Sequence, residues 1–343
     1  MSSNKIARFA ITYSKSTFTA GEVLHGWVTL DLKESLRILD LQVTLSGRIE
    51  TAWPKAEKRR DSFVLFNTDV QWPFRGACYS AQETVLNRKV SLWSDQDQES
   101  VSAGTHIFHF TSRLPASCPP SYICSDNRFS TVNISYSGEA LILAPQLFEG
   151  KLKTRRDFEV TGFLDLNSDP LSISPVEIKF KRRIWCCCWR GRVDVTASTD
   201  KRSYVPGETV SVKVTVSNQT KRFLSSVSAR FNRRILLAAK LGREHQERLI
   251  DSSSEALCEN FYLAGPCVKE VNFDLPLSDS HVPTMIHLNI VKIWYDVEVK
   301  AVLCGGLCDE NVVMSSIIPI IIGTVPVKSA NCWETASNAI IYV

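Results

Sequence analysis

Phe18-Thr19-Ala20-Gly21-Glu22 leads into the run Val23 to Leu30, and Tyr204-Val205-Pro206-Gly207-Glu208 leads into Thr209 to Val216. In each stretch an aromatic residue precedes a Gly-Glu turn, and an alternating run follows. Glycine tolerates the positive φ that a reversing chain needs. Val210, Val212, Val214 and Val216 alternate with Ser211, Lys213 and Thr215, a period of two that puts one face in a core and the other in water. Two such openings in one chain point to two related β domains.

A second pair of signals follows in the same order. Phe110-Thr111-Ser112-Arg113-Leu114-Pro115 is followed by Pro119, Pro120 and then Ile134-Ser135-Tyr136. Phe273-Asp274-Leu275-Pro276 is followed by Pro283 and then Ile293-Trp294-Tyr295. Each reads as a strand ending in Leu-Pro, a proline-bearing connection where ladder pairing stops, and a new strand carrying a tyrosine. The shared order indicates internal duplication.

Length and composition agree. The 343 residues suit two domains, each with its own core. With 22% charged and 44% apolar residues and a net charge of +4, the chain has a globular composition and no nucleic-acid-binding character. Behind Met1-Ser2-Ser3-Asn4-Lys5 there is no apolar run of signal-peptide length. The longest apolar stretch, Ile317 to Val327, contains Pro319 and Pro326 and is too short to span a bilayer. Eleven cysteines, three of them consecutive, do not make a secreted disulfide framework. A cytosolic location is expected.

Strand signals dominate the rest. Trp27, Thr29 and Asp31 face away from Val28, Leu30 and Leu32. Leu39, Leu41, Val43, Leu45 and Gly47 share a face. Ile293, Tyr295, Val297, Val299 and Ala301 oppose Trp294, Asp296, Glu298 and Lys300. Leu236 to Ile250 reads as a strand followed by a charged loop, with a helix as the alternative, and Gln96 to Gly104 as an exposed loop. Short strands between Gly, Pro, Asn and Ser clusters indicate β sandwiches. The expected organisation is a sandwich over 1–168, a basic, cysteine-rich hinge over 169–192, a second sandwich over 193–327 and a short tail over 328–343.

These residues resemble the arrestin family, and within it the arrestin domain-containing group, the α-arrestins. The Gly-Glu openings resemble the start of both arrestin domains. Phe110 to Pro115 with Pro120-Ser121-Tyr122, Phe158-x-Val160 with Leu164 to Asn167, and Cys186-Cys187-Cys188 before the second domain follow the family's order. Ile318-Pro319-Ile320-Ile321-Ile322-Gly323-Thr324-Val325-Pro326 resembles its ending most specifically. The resemblance implies an all-β chain of two tandem immunoglobulin-like, arrestin-fold sandwiches joined by a short hinge. It also implies a cytosolic adaptor in membrane-protein trafficking, not an enzyme, with membrane-protein cargo such as receptors or transporters as partners. WW-domain HECT-type ubiquitin ligases and endocytic machinery would be further partners, and the adaptor would associate with the plasma membrane and endosomes. A structural scaffold joining trafficking subunits is the alternative.

Three site readings stand beside it. Pro119-Pro120-Ser121-Tyr122 fits the Pro-Pro-x-Tyr ligand of WW domains, or else a buried lead-in to a strand. Lys181, Arg182 and Arg183 adjoin Trp185, Cys186, Cys187, Cys188 and Trp189, which fits a membrane-facing, palmitoylated patch or a packed hinge. Asp31 falls where receptor-binding arrestins place an interdomain polar residue, or it is a solvated strand-end Asp. No metal or cofactor is expected, since adjacent cysteines cannot easily surround one tetrahedral ion. No catalytic motif emerges from the six histidines, and His106 and His109, three apart on a strand, point to opposite faces.

Overall fold

A computed structural model describes residues 5–55, 77–94, 100–126, 130–186, 189–304 and 311–327. Among these, the regular structure is strand, broken by three single-turn 3-10 segments. Cys187, Cys188 and the tail 328–343 lie outside the described residues. The chain divides into two compact units. The first is Met1–Phe163 with Leu236–Arg248 and His287–Val291; the second is Leu164–Ile235, Leu249–Ile286 and Lys292–Val343.

The first unit opens with β1 (Ile6–Tyr13), β2 (Thr17–Thr19), β3 (Val23–Leu32), β4 (Leu36–Arg37), β5 (Asp40–Pro54) and β6 (Cys78–Ser94). It continues with β7 (Ser100–Val101), β8 (Gly104–Arg113), β9 (Tyr122–Ser125), β10 (Thr131–Leu143) and β11 (Lys151–Thr161). One sheet has the order β1-β3-β8; the other runs β6-β5-β10-β11-β2 with β9 on β10, and β4 pairs with β7. The inward residues are those the alternation selects: Val28, Leu30, Leu41, Val43, Leu45, Ile134 and Tyr136 are all within 1% of full burial. Each such aliphatic side chain contributes about 1.5–3 kcal/mol by leaving water. Tyr13, Phe18 and Phe158 meet edge-on at 5.3–6.3 Å, the arrangement that aromatic quadrupoles favour.

The second unit holds β12 (Val176–Cys186), β13 (Trp189–Thr199), β14 (Ser203–Tyr204), β15 (Thr209–Asn218) and β16 (Leu224–Leu241). Then come β17 (Glu244–Ser253), β18 (Leu257–Leu263), β19 (Cys267–Pro276), β20 (Val291–Leu303) and β21 (Val312–Ile322). Its sheets are β12-β13-β15-β19 and β14-β21-β20-β16, with β17 and β18 also on β16. Leu236–Arg248, which joins β16 to β17, counts with the first unit.

The duplication extends to single hydrogen bonds. Gly21 has φ 85° and Gly207 φ 84°. Glu22 accepts from Thr19 N–H at 2.8 Å, and Glu208 from Val205 N–H at 3.0 Å. Each glutamate also holds a lysine, Lys15 at 2.7 Å and Lys201 at 2.8 Å. Those lysines stand over the aromatic residue of the opening, 5.2 Å from Phe18 and 4.7 Å from Tyr204. The short strand before each turn pairs parallel, β2 with β11 and β14 with β21. In the proline-bearing connections, Tyr136 donates to Pro119 O at 2.6 Å and Tyr295 to Val282 O at 2.7 Å.

Four local expectations are corrected. Leu39 is 40% exposed, because a bend there breaks the alternation before β5 begins and Leu36 and Ile38 take the core instead. The charged residues after Leu241 form β17, not a loop. Gly242, at φ 60°, turns the hairpin, and β17 is exposed at nearly every position, so it carries no alternation to read. Ser100 and Val101 pair with Arg37 and Leu36 instead of lying in a loop. Most of the expected hinge, 169–192, is β12 and the start of β13, which pair from Val176↔Thr199 to Cys186↔Trp189.

Candidate functional site

The two units differ at one strand position. β1 and β13 are counterparts: each precedes the short parallel strand and the Gly-Glu turn, and each pairs with the alternating strand that follows, β3 or β15. In the second unit β12 lies on the far side of β13. Among the described residues nothing pairs with the far side of β1. Ser14 N–H donates to His25 O at 3.0 Å. Antiparallel alternation therefore turns the backbone groups of Thr12 and Ala10 toward β3, and those of Ile11 and Phe9 toward the open edge. Arg156, on β11, donates to Ile11 O at 3.2 Å, while Tyr13 donates to Arg156 O at 2.8 Å. Arg8 and Arg156 are exposed and make no ion pair among the described residues. The arrangement is a basic strand edge with backbone groups left to pair. Sequence reading missed it, because a vacancy shows only when the two strand orders are compared.

Lys181, Arg182 and Arg183 are exposed on β12, the edge of its sheet. Arg182 donates to Val313 O at 3.0 Å, whereas Lys181 and Arg183 make no ion pair among the described residues. Trp185, Cys186 and Trp189 are placed by backbone register, Trp185 opposite Arg190 and Cys186 opposite Trp189. The proposed patch is thus the far end of a β hairpin.

Pro119 and Pro120 are buried. Pro119 O takes the Tyr136 hydroxyl, Ser121 N–H donates to Val160 O at 2.8 Å, and Ser121 Oγ accepts from Val160 N–H at 3.0 Å. Tyr122 begins β9, opposite Ile134. A WW groove grips prolines on an open polyproline helix, and these prolines are held inside instead.

Asp31, half-buried on β3, accepts from Thr105 Oγ1 at 3.3 Å. The buried acid is Asp296, expected on an outward face but 1% exposed. Asn232 donates to it at 2.8 Å, Arg234 pairs with it closely, and Arg234 also reaches Asp251 at 3.1 Å. Buried charge needs such partners. The readable signal was the Arg233-Arg234 pair inside an apolar strand, which calls for a counter-charge.

A cleft of about 380 Å³ in the first unit is lined by Trp53, Lys55, Tyr79, Glu244 and Arg248. Trp53 and Tyr79 stack at 5.8 Å, and Lys55 meets Glu244 at 3.0 Å. The neighbouring Tyr79 hydroxyl and the Lys55 ammonium hold the Glu244 carboxyl below its usual range. Among the described residues no group of His, Cys, Asp and Glu could hold a metal ion. His106 turns to Ser102 O at 2.9 Å, and His109 lies 6.3 Å from Trp27, so the two do not converge.

The family model of the arrestin (or S-antigen) N-terminal domain matches residues 7–167, and that of the C-terminal domain residues 189–327. The chain is 23% identical over 328 residues to arrestin domain-containing protein 17 of Caenorhabditis elegans, covering 94% of this chain and 71% of that protein. It is 24% identical over 231 residues to arrestin domain-containing protein 4 of Mus musculus, covering 66% and 52% respectively. Against arrestin domain-containing protein 1 of Homo sapiens the identity is 27% over 237 residues, covering 69% and 48%. Two family domains in tandem, the duplicated Gly-Glu turns and relatives that share the same domains lead to one conclusion: the chain belongs to the arrestin family, in its arrestin domain-containing group, the α-arrestins.

Proposed function

We propose that this chain is an adaptor in membrane-protein trafficking that holds the cytoplasmic tail of its cargo as an added strand on β1. The observation that carries the reading is the edge of β1, left open among the described residues, whereas the matching strand of the second unit, β13, has β12 as a neighbour. An extended tail would pair with the outward N–H and C=O of Phe9 and the outward N–H of Ile11, and Arg8 and Arg156 would favour acidic residues in it. Such an adaptor works in the cytoplasm and meets the plasma membrane and endosomes through receptor or transporter cargo. Endocytic sorting and ubiquitin-linked down-regulation are the outcomes it serves. Recruitment of a WW-domain HECT-type ligase then needs a contact other than Pro119-Pro120-Ser121-Tyr122, whose prolines are buried.

The test is binding of cytoplasmic-tail peptides from receptors and transporters to the full chain. Phe9→Pro removes an outward N–H and leaves the ladder to β3 in place. It should weaken binding about tenfold with the melting temperature retained, and Arg8→Glu should do so for acidic tails. Equal capture by Phe9→Pro would exclude strand addition at β1. A stable stoichiometric complex in native extract, with no tail binding, would favour the scaffold reading.

A further inference from the structure

We propose that a second copy of this chain is a partner: the β12 edge of one copy pairs with the β19 edge of the next, so that the sheet β12-β13-β15-β19 continues from chain to chain. Among the described residues β12 pairs only with β13, and β19 only with β15. Two hydrogen bonds fix which backbone groups these edges present. Gln219 N–H donates to Arg192 O at 2.8 Å, and Leu277 N–H to Glu208 O at 2.9 Å. Antiparallel alternation, carried through the three ladders, turns the backbone groups of Lys179, Lys181 and Arg183 outward on β12. On β19 it turns those of Val268, Glu270, Asn272 and Asp274 outward. All of these residues are exposed. One edge of the sheet is therefore basic and the other acidic.

The two edge strands run in opposite directions, so one copy set beside the next meets it antiparallel, with the outer faces on the same side. The register that sets Arg183 against Glu270 also sets Lys181 against Asn272 and Lys179 against Asp274, and brings Trp185 opposite Val268. Opposite charges across a ladder stabilise it, and this register opposes no like charges. Glu270 already meets Lys213 at 2.6 Å and Lys179 meets Glu177 at 2.9 Å, but such exposed pairs contribute little. The duplication serves as a control. Leu114 N–H donates to Glu22 O at 2.8 Å as Leu277 does to Glu208, so β8 is the counterpart of β19. At the matching positions β8 carries Thr105, Ile107, His109 and Thr111. Among the described residues the first unit has neither the basic strand nor the acids; the second has both, on opposite edges of one sheet. A basic peptide would explain only the acidic edge, and an anionic partner only the basic one, which is why a second copy is the favoured occupant. The contact joins two different surfaces, so it extends into chains or rings instead of closing as a symmetric dimer.

The experiment is sedimentation velocity of the full chain over a range of concentrations. The mean mass should rise past that of a dimer as concentration rises, and fall back as salt is added. Arg183→Glu and Glu270→Arg should each weaken association at least about tenfold with the melting temperature retained, because each sets like charges against one another. Mixed in equal amounts, the two variants should associate as the parent does, since the altered edge of each fits the altered edge of the other. Asn272→Pro removes an outward N–H, leaves the ladder to β15 in place, and should lose assembly as well. Phe9→Pro should assemble normally, which separates this contact from the cargo reading. A chain that stays monomeric, single variants that assemble like the parent, or a mixture that stays dissociated would each overturn the proposal. A dimer that does not grow with concentration would mean a symmetric contact, and would overturn it too.

Discussion

Gly21 and Gly207 share a sequence context and, within a degree, a backbone angle, yet their surroundings differ. A Cβ on Gly21 would meet Ala116 atoms at 3.6 Å, an ordinary contact, whereas a Cβ on Gly207 would come within 2.7 Å of Asp279 Oδ1. Both Ala variants bear the left-handed strain of about 1–2 kcal/mol, and Gly207→Ala must also displace a carboxylate. Urea denaturation of the full chain should show the larger loss at Gly207; equal losses would mean that Asp279 yields freely. The Gly-Glu pair was legible because positive φ selects glycine. The lysines were not, although Lys15 and Lys201 stand at the same spacing before Phe18 and Tyr204. A lysine before a turn usually points to water, and only the folded turn brings its ammonium to the glutamate.

Strands were legible where one face is buried and the other wet, as along β3, β15 and most of β20. They were illegible where both faces are alike. β17 is polar on both sides and is held by backbone pairing to β16, so its sequence read as a loop. Asp296 failed for the opposite reason, since a polar residue on the outward parity of β20 is covered by Asn232 and Arg234 from β16. The same two strands hold a titrating group between rings. His281 lies 5.3 Å from Phe231 and 5.4 Å from Tyr295, and burial, then Arg233, push its pKa below the ordinary 6.5. The folded ring resists a proton that the unfolded chain accepts, so stability falls as pH drops below about 6.5 and is unaffected above it. His281→Phe should therefore reduce the loss of melting temperature between pH 7 and 5.5. An unchanged slope would place that loss on other groups.

At the scale of the whole chain the repeat explains both what could be foreseen and what could not. Two sandwiches were foreseeable, because each signal occurs twice in the same order and the order itself carries the information. The strand that makes the halves unequal was not, because β12 reads as a basic linker until its partner β13 is known. The repeat also makes a quantitative demand. Tyr136 and Tyr295 are each 1% exposed, sit in different units, and close their connections through one hydrogen bond apiece, to Pro119 O and Val282 O. Removing either hydroxyl leaves a carbonyl without that donor and should cost about 1–2 kcal/mol. Because the two tyrosines lie in different compact units, Tyr136→Phe and Tyr295→Phe should act additively, within about 0.5 kcal/mol, when unfolding is resolved by denaturant for single and double variants. A double variant no worse than either single one would mean that the two connections are coupled, so that the halves, though built alike, do not stand as separate cores.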